Sequence, residues 1–502
     1  MLASVWSATL LGVEGRLVAV EVHVSNGLPA YNVVGLPDAA GRESRERVRA
    51  AMLSSELEWP LRRLTVNLAP GGLRKTGAGF ELAVALGLLL ASAELPTDCL
   101  ESTGVLGELG LDGSIRPVHG TIALVDAFRH AGLQRVIVPA ANAPEASLVT
   151  DITVLPARTL GELRACLKAE LPWPEVDTSD VVFAADSDPD DDESLDLSDV
   201  RGLRLAREAL EVAVAGGHHL LMVGPPGVGK TMLARRITTI LPPLDPEAAL
   251  DVTRIHSVAG DLASGRLVTR APFRAPHHTA STAALVGGGS GRPTPGEVSL
   301  ATHGILFLDE LGEFSPATLD ALRQPLEERA VRISRQSSAL TFPADFLLVA
   351  CSNPCPCGEP TDRCRCDPAR LARYRRRLSA PLLDRFDVRM SVSPPESNDV
   401  AGESSAVVRE RVRAAVDRQR ARYAGRRWQR NGALPAGPLR REVPLTGDAV
   451  DAWREIIRRR ALTGRGAAAI RRVARTLADL DDTARVTAGH LGRAEQLRED
   501  VP

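Results

Sequence analysis

One stretch limits the possible folds of this chain more than any other: Gly224, Pro225, Pro226, Gly227, Val228, Gly229, Lys230 and Thr231, set between the apolar run 220–223 and the helical pattern 231–240. The spacing predicts a strand, a tight phosphate-binding loop and a helix in succession. Glycines let backbone N–H groups approach phosphates, the helix N-terminus adds favourable potential, and the Thr231 hydroxyl suits Mg²⁺. From residue 203 onward, helical stretches at 205–215, 231–240 and 318–327 alternate with short apolar strands at 220–223, 305–308 and 346–350. Such alternation predicts an α/β domain with a parallel sheet covered by helices.

Lys230 is one of only three lysines, with Lys75 and Lys168, among 61 basic residues. A compact ammonium on a flexible stem reaches between phosphate oxygens where a planar guanidinium needs a wider, forked site. A second element supports the first. The run 305–308 is apolar and ends in Asp309 and Glu310, so it predicts a buried strand that delivers two carboxylates to the sheet edge where ligands of open α/β sheets bind. Asp309 is expected to hold the Mg²⁺ shell and Glu310 to orient or deprotonate the attacking water of an ATP hydrolase. A third strand ends near Asn353, which reads either as a water-positioning amide beside the γ-phosphate or as an ordinary turn asparagine.

With 44% hydrophobic and 25% charged residues over 502 positions, a disordered or fibrous chain is excluded. The net charge of −2 names no partner, so any surface for nucleic acid must come from local asymmetry. Residues 175–199 hold eleven acidic residues and neither Lys nor Arg, which predicts a solvated linker at about 173–198. Residues 401–502 carry 22 arginines against 13 acids, a local charge of +9. The expected organisation is an α+β domain over 1–172, the linker 173–198, the ATPase core 199–395 and a helical domain 396–502, with helices at 404–423, 447–462 and 467–479. The longest apolar run, 82–93, falls short of the roughly 20 residues that a membrane span requires. It is expected to be a buried helix. No charged, apolar, small-residue leader opens the chain, so a cytoplasmic protein is expected. Cys355, Cys357, Cys364 and Cys366 can supply four thiolates to one structural Zn²⁺; reduced free thiols are the equal alternative.

Several motifs together resemble the magnesium-chelatase-like AAA+ ATPases of the YifB/ComM type. They are the phosphate loop, the stretch 274–279 with Gly287, Gly288 and Gly289, the segments 295–300, 308–311 and 322–327, and 353–358 and 382–387, joined by 34–38, 43–49, 66–70, 106–108 and 111–113 near the start. The resemblance implies a P-loop AAA+ core with a helical lid, preceded by a Lon-protease-like domain. It further implies a hexameric ring that uses ATP and Mg²⁺ and translocates or remodels DNA, as family members implicated in branch migration during natural transformation do. Arg385 matches the arginine finger contributed in trans, although its spacing alone suggests an ion pair with Asp384 or Asp387. Arg465 matches the lid sensor arginine, with Arg471 and Arg472 as alternatives because Ala469 stands where relatives often carry arginine. The segment 274–289 matches an insertion over the ring's pore, and 332–341 a hairpin facing it. Arg274, His277, His278, Arg332 and Arg335 are thereby candidates for phosphate contacts along a threaded strand. In the Lon-like domain a glycine near Lys75 replaces the nucleophilic serine, and Ile122 falls near the catalytic lysine position, so no peptidase activity is expected. Lys75 reads equally as an anion or partner contact and as a solvated side chain. Two other readings remain: a motor subunit for metal insertion into a porphyrin, and a nucleotide-switched scaffold.

Overall fold

Buried Val18, Val20, Val22 and Val24 alternate with more exposed neighbours along Glu14–Ser25, the period of a strand with one covered face. That strand belongs to a seven-stranded sheet in the order Ala30–Val34, Arg63–Ala69, Glu14–Ser25, Leu2–Leu11, Thr103–Val105, Arg135–Pro139 and Thr153–Ala157. The computed structural model describes residues 1–35, 38–71, 75, 79–176, 195–262, 267–289, 293–335, 338–359, 363–394, 401–460 and 462–500. Most of the expected linker, 177–194, thus lies outside the described residues.

The chain divides into two compact units, one of residues 1–186, 245–269 and 336–341, the other of 187–244, 270–335 and 342–502. In the first unit the apolar run becomes the helix Glu81–Ala91, buried at every position. Glu81 at its start is 1% exposed and bonds Arg47 Nε at 2.5 Å and the Leu109 N–H at 3.1 Å, so its carboxylate is satisfied where isolation would be costly. The segment 245–269 was expected within the ATPase core but joins the first unit. Its helix Pro246–Ala259 packs on Thr121–His130, with Ser257 bonded to the buried Glu145 carboxylate. Ile122 is buried in that second helix. Lys75 is not solvated: it is 2% exposed, donates to the Pro70 carbonyl at 2.6 Å, and burial pulls its ammonium below the usual lysine range.

The second unit carries a five-stranded, all-parallel sheet in the order Phe273–Arg274, Ile305–Leu308, Leu347–Ser352, Leu220–Val223 and Val388–Ser391. Leu220–Val223 and Ile305–Leu308 are buried on both faces, which is why they read as unbroken apolar runs. The helix expected at 318–327 is broken into Pro316–Ala321 and Arg323–Glu328, because Pro325 lacks the N–H that a continuous helix would need there. Residues 405–498 form the helices Ser405–Arg422, Ala436–Glu442, Asp448–Arg459, Gly464–Leu480 and Ala488–Gln496. No helix among the described residues is long and apolar enough to cross a membrane.

Candidate functional site

The phosphate loop leaves the sheet after Val223, and the helix Lys230–Arg236 follows with Gly229 at φ 89° as its N-cap. Gly227 and Gly229 both take left-handed φ values, 80° and 89°, which other residues adopt at a cost. Lys230 is 8% exposed and folds back over its own loop, donating to the carbonyls of Gly224 at 2.7 Å and Pro225 at 2.8 Å and to Asn353 Oδ1 at 3.3 Å. Burial pulls its ammonium below the usual lysine range, against the charges of Asp309 and Glu310. The loop thus presents a cation already stripped of much of its water.

Strand Ile305–Leu308 lies beside Leu347–Ser352, which lies beside Leu220–Val223, so three strand ends meet at one edge of the sheet. Asp309 Oδ2 accepts from the Thr231 hydroxyl at 2.7 Å, and its Oδ1 accepts the Glu310 N–H at 2.9 Å. Hydroxyl and carboxylate oxygens in contact are the donor set that Mg²⁺ prefers. Glu310 is exposed, with φ at 50°, a conformation that costs a non-glycine residue roughly 1–2 kcal/mol and is usually kept where it positions a side chain.

His278 Nδ1 lies 3.3 Å from Glu310 Oε2. Its ring stands edge-on to Phe314 at 6.4 Å and 4.1 Å from the ring of His277, which is exposed and hydrogen-bonded to Thr279 at 2.8 Å. The histidine pair expected on a threaded strand therefore reaches the Glu310 carboxylate on one side. Arg274 forms a forked pair with Glu297 at 2.7 and 3.0 Å, and Arg332 pairs with Glu328 at 3.3 Å while remaining exposed. The Arg335 side chain lies outside the described residues.

Arg385 does not pair with Asp384 or Asp387, the partners its spacing suggested. Asp384 faces Arg389, and Asp387 is engaged by His218 Nδ1 at 2.9 Å and Arg472 Nη2 at 2.8 Å. Arg385 instead meets Glu327, as does Arg465 at 3.0 Å. Burial, with the like charges of Arg465 and Arg323, pulls the Arg385 guanidinium down to about 10, and the group stays charged at neutral pH. Among the described residues the buried Nε of Arg385 has no hydrogen-bond partner. Arg471 is tied to the Val443 carbonyl and Arg472 to Asp387, which leaves Arg465 as the one of the three beside Arg385.

Behind these arginines lies a buried network that spacing could not reveal. His218 Nε2 contacts the Thr476 hydroxyl at 2.7 Å, and Asn431 donates to Thr476 and Asp479, both at 2.9 Å. Burial alone would raise the Asp387 carboxyl, but Arg472, the His218 hydrogen bond and Arg498 outweigh it and hold the group well below the carboxylate range. Asp387 thereby locks helix Gly464–Leu480 to the loop that carries Arg385.

The four cysteines Cys355, Cys357, Cys364 and Cys366 also come together, with every sulfur within 4.8 Å of the others. Cys355 and Cys357 sulfurs are 3.1 Å apart, and Cys357 and Cys364 are 3.9 Å apart. The hydrogen bond from Cys355, with the backbone N–H groups of Arg365 and Glu359, holds the Cys357 thiol down to about 6.

A phosphate-loop motif, an Asp-Glu strand end and a polar third strand on a parallel sheet place the chain in the class of P-loop α/β folds. The chain matches the family described as "Magnesium chelatase, subunit ChlI" over residues 196–400, "Subunit ChlI of Mg-chelatase" over 20–142 and "Magnesium chelatase, subunit ChlI C-terminal" over 402–498. It is 44% identical over 490 residues to an uncharacterized protein of Mycobacterium tuberculosis, covering 95% of each chain. It is 40% identical over 499 residues to the competence protein ComM of Haemophilus influenzae, covering 98% of this chain and 96% of the other. It is 39% identical over 503 residues to the uncharacterized protein YifB of Escherichia coli, covering 99% and 97%. A partial likeness to Lon protease 2 of Bacillus subtilis, 28% over 144 residues, covers 26% of each chain. The chain belongs to the YifB/ComM family of magnesium-chelatase-like AAA+ proteins.

Proposed function

We propose that this protein is a Mg²⁺-dependent, cytoplasmic AAA+ ATPase that works as a hexameric ring and translocates or remodels DNA. The observation that carries the ATPase reading is the cluster in which Lys230, the Thr231–Asp309 pair and Glu310 meet at one sheet edge. Thr231 and Asp309 would hold Mg²⁺, which supplies charge neutralisation at the β- and γ-phosphate oxygens. Lys230 exchanges its two loop carbonyls for phosphate oxygens, Asn353 positions the water, and Glu310 accepts its proton. Arg385, with Arg465 beside it, is the residue that a neighbouring subunit's site would use; its partnerless Nε and its mixed cationic setting support that reading. Residues 396–502 act as the lid domain, and residues 1–172 as a Lon-like domain without peptidase chemistry.

The DNA reading rests on membership in a family that includes a competence protein and on the arginine surplus of residues 401–502. His277, Arg332 and Arg335 are the proposed strand contacts, with Arg274 held in place by Glu297. The His278–Glu310 pair gives such contacts a route to chemistry: a strand that moves the adjacent histidines releases the Glu310 carboxylate toward the water. His278→Ala should therefore raise hydrolysis without DNA and shrink the further stimulation that forked DNA gives. Unchanged basal turnover in that variant would remove the coupling. The same four cysteines are proposed to take a structural Zn²⁺, since a closed set of four thiolates leaves no open position for catalysis.

A further inference from the structure

We infer that the four-cysteine centre is a clamp on the nucleotide site: a Zn²⁺ held by Cys355, Cys357, Cys364 and Cys366 presses the turn around Gly358 onto Pro226 of the phosphate loop, so that nucleotide affinity depends on the metal. This rests on the zinc reading of those cysteines and on the nucleotide reading of residues 224–231.

The fold places the centre where it can act in this way. Strand Leu347–Ser352 ends at the nucleotide site, helix Pro368–Arg377 starts at its cap Asp367, and all four cysteines lie in the connection between them. Both ends of that connection are fixed. Asn353 Oδ1 accepts from Lys230 at 3.3 Å, and the Asn353 carbonyl lies 3.3 Å from the Tyr374 hydroxyl on the helix. Asp367 accepts the N–H groups of Ala369 at 2.7 Å and Arg370 at 3.3 Å. Gly358, one residue beyond Cys357, has φ 77°, and a Cβ added there would stand 2.9 Å from Pro226 Cδ. The cysteine turn and the phosphate loop are therefore in direct contact, closer than any side chain at 358 would allow.

The sulfur geometry suits one tetrahedral ion. Four sulfurs at about 2.3 Å from Zn²⁺ stand about 3.8 Å apart; the observed 3.1 and 3.9 Å separations bracket that value. Among the described residues these cysteines form no disulfide. Thiol–thiol contacts alone are weak, and a long connection closed only by them would regain its chain entropy by opening. Metal binding releases the thiol protons to solvent and closes it.

The test uses the full-length protein. Zinc content is measured by mass spectrometry, and ADP affinity by calorimetry, before and after chelator treatment and after zinc is restored; Gly358→Ala is measured alongside. The expected results are stoichiometric zinc, an affinity that falls on the order of tenfold on stripping, recovery on reloading, and a similar loss in Gly358→Ala with its zinc retained. Protein that neither contains nor takes up zinc overturns the metal centre itself. Bound zinc with unchanged ADP affinity, both on stripping and in Gly358→Ala, overturns the clamp and leaves the metal. Untreated protein that binds no ADP overturns the clamp together with the nucleotide reading.

Discussion

Glu310 and Arg385 divide the proposed chemistry between one subunit and its neighbour, and each can be tested singly. Glu310→Gln keeps the size and most of the hydrogen bonding of the side chain but cannot take a proton. Turnover should fall by about 10²–10⁴-fold while ATP still binds. A variant that hydrolyses ATP at the normal rate would refute the role. Arg385→Ala should cost about 10³-fold or more, and mixing it with the Glu310→Gln protein should restore part of the activity, because each supplies what the other's site lacks. No restoration would mean that Arg385 serves its own subunit. At this scale the sequence was most readable where a motif sets the residue type: Lys230, Thr231 and Asp309, expected from their spacing to form one site, do come together at one sheet edge. It was silent where two side chains distant in sequence meet through the sheet. His278 reaches Glu310 because strand Phe273–Arg274 lies beside Ile305–Leu308. Glu327, on helix Arg323–Glu328, gathers Arg385 and, from helix Gly464–Leu480, Arg465. No local spacing encodes either meeting.

The secondary-structure elements of the second unit followed their hydrophobic periods, since strands buried on both faces must be apolar throughout. What the periods missed are polar groups buried at element ends. His219 directly precedes strand Leu220–Val223, and its Nδ1 accepts the Leu348 N–H at 3.0 Å. Burial, against the opposing charge of Asp387, pulls this imidazole from 6.5 down to about 4. The unfolded chain therefore binds the proton first on acidification. The contribution of His219 is intact above pH 6.5 and is lost as pH falls toward about 4. The melting temperature should drop over that window, and His219→Asn, which keeps an acceptor for Leu348 but does not titrate, should show a smaller drop. An equal drop in both proteins would assign the acid sensitivity elsewhere. The break at Pro325 and the transfer of Pro246–Ala259 to the first unit show the other limit of periodic patterns. The 3.6-residue repeat identifies a helical face but not which core it covers.

For the whole molecule, near-zero net charge hides an acidic stretch at 175–199 and a basic one at 401–502. Part of that basic surplus turns inward: Arg411 clamps Glu211 and Glu403, Arg422 and Arg475 close on Asp479, and Arg472 holds Asp387. Arginine serves here because its fork satisfies buried carboxylates that a lysine would leave half-bonded. The arginines that remain at the surface are the ones available to phosphates. The family was legible in the motifs, whereas the proposed DNA surface depends on how many arginines the fold itself consumes, which only packing decides. The most direct measurement is the ATPase rate of the full-length protein with single-stranded and forked DNA over a range of salt concentrations. The account predicts stimulation by DNA that weakens steeply as salt rises, through counterion release. A rate indifferent to DNA, with no DNA bound even at low salt, would contradict it.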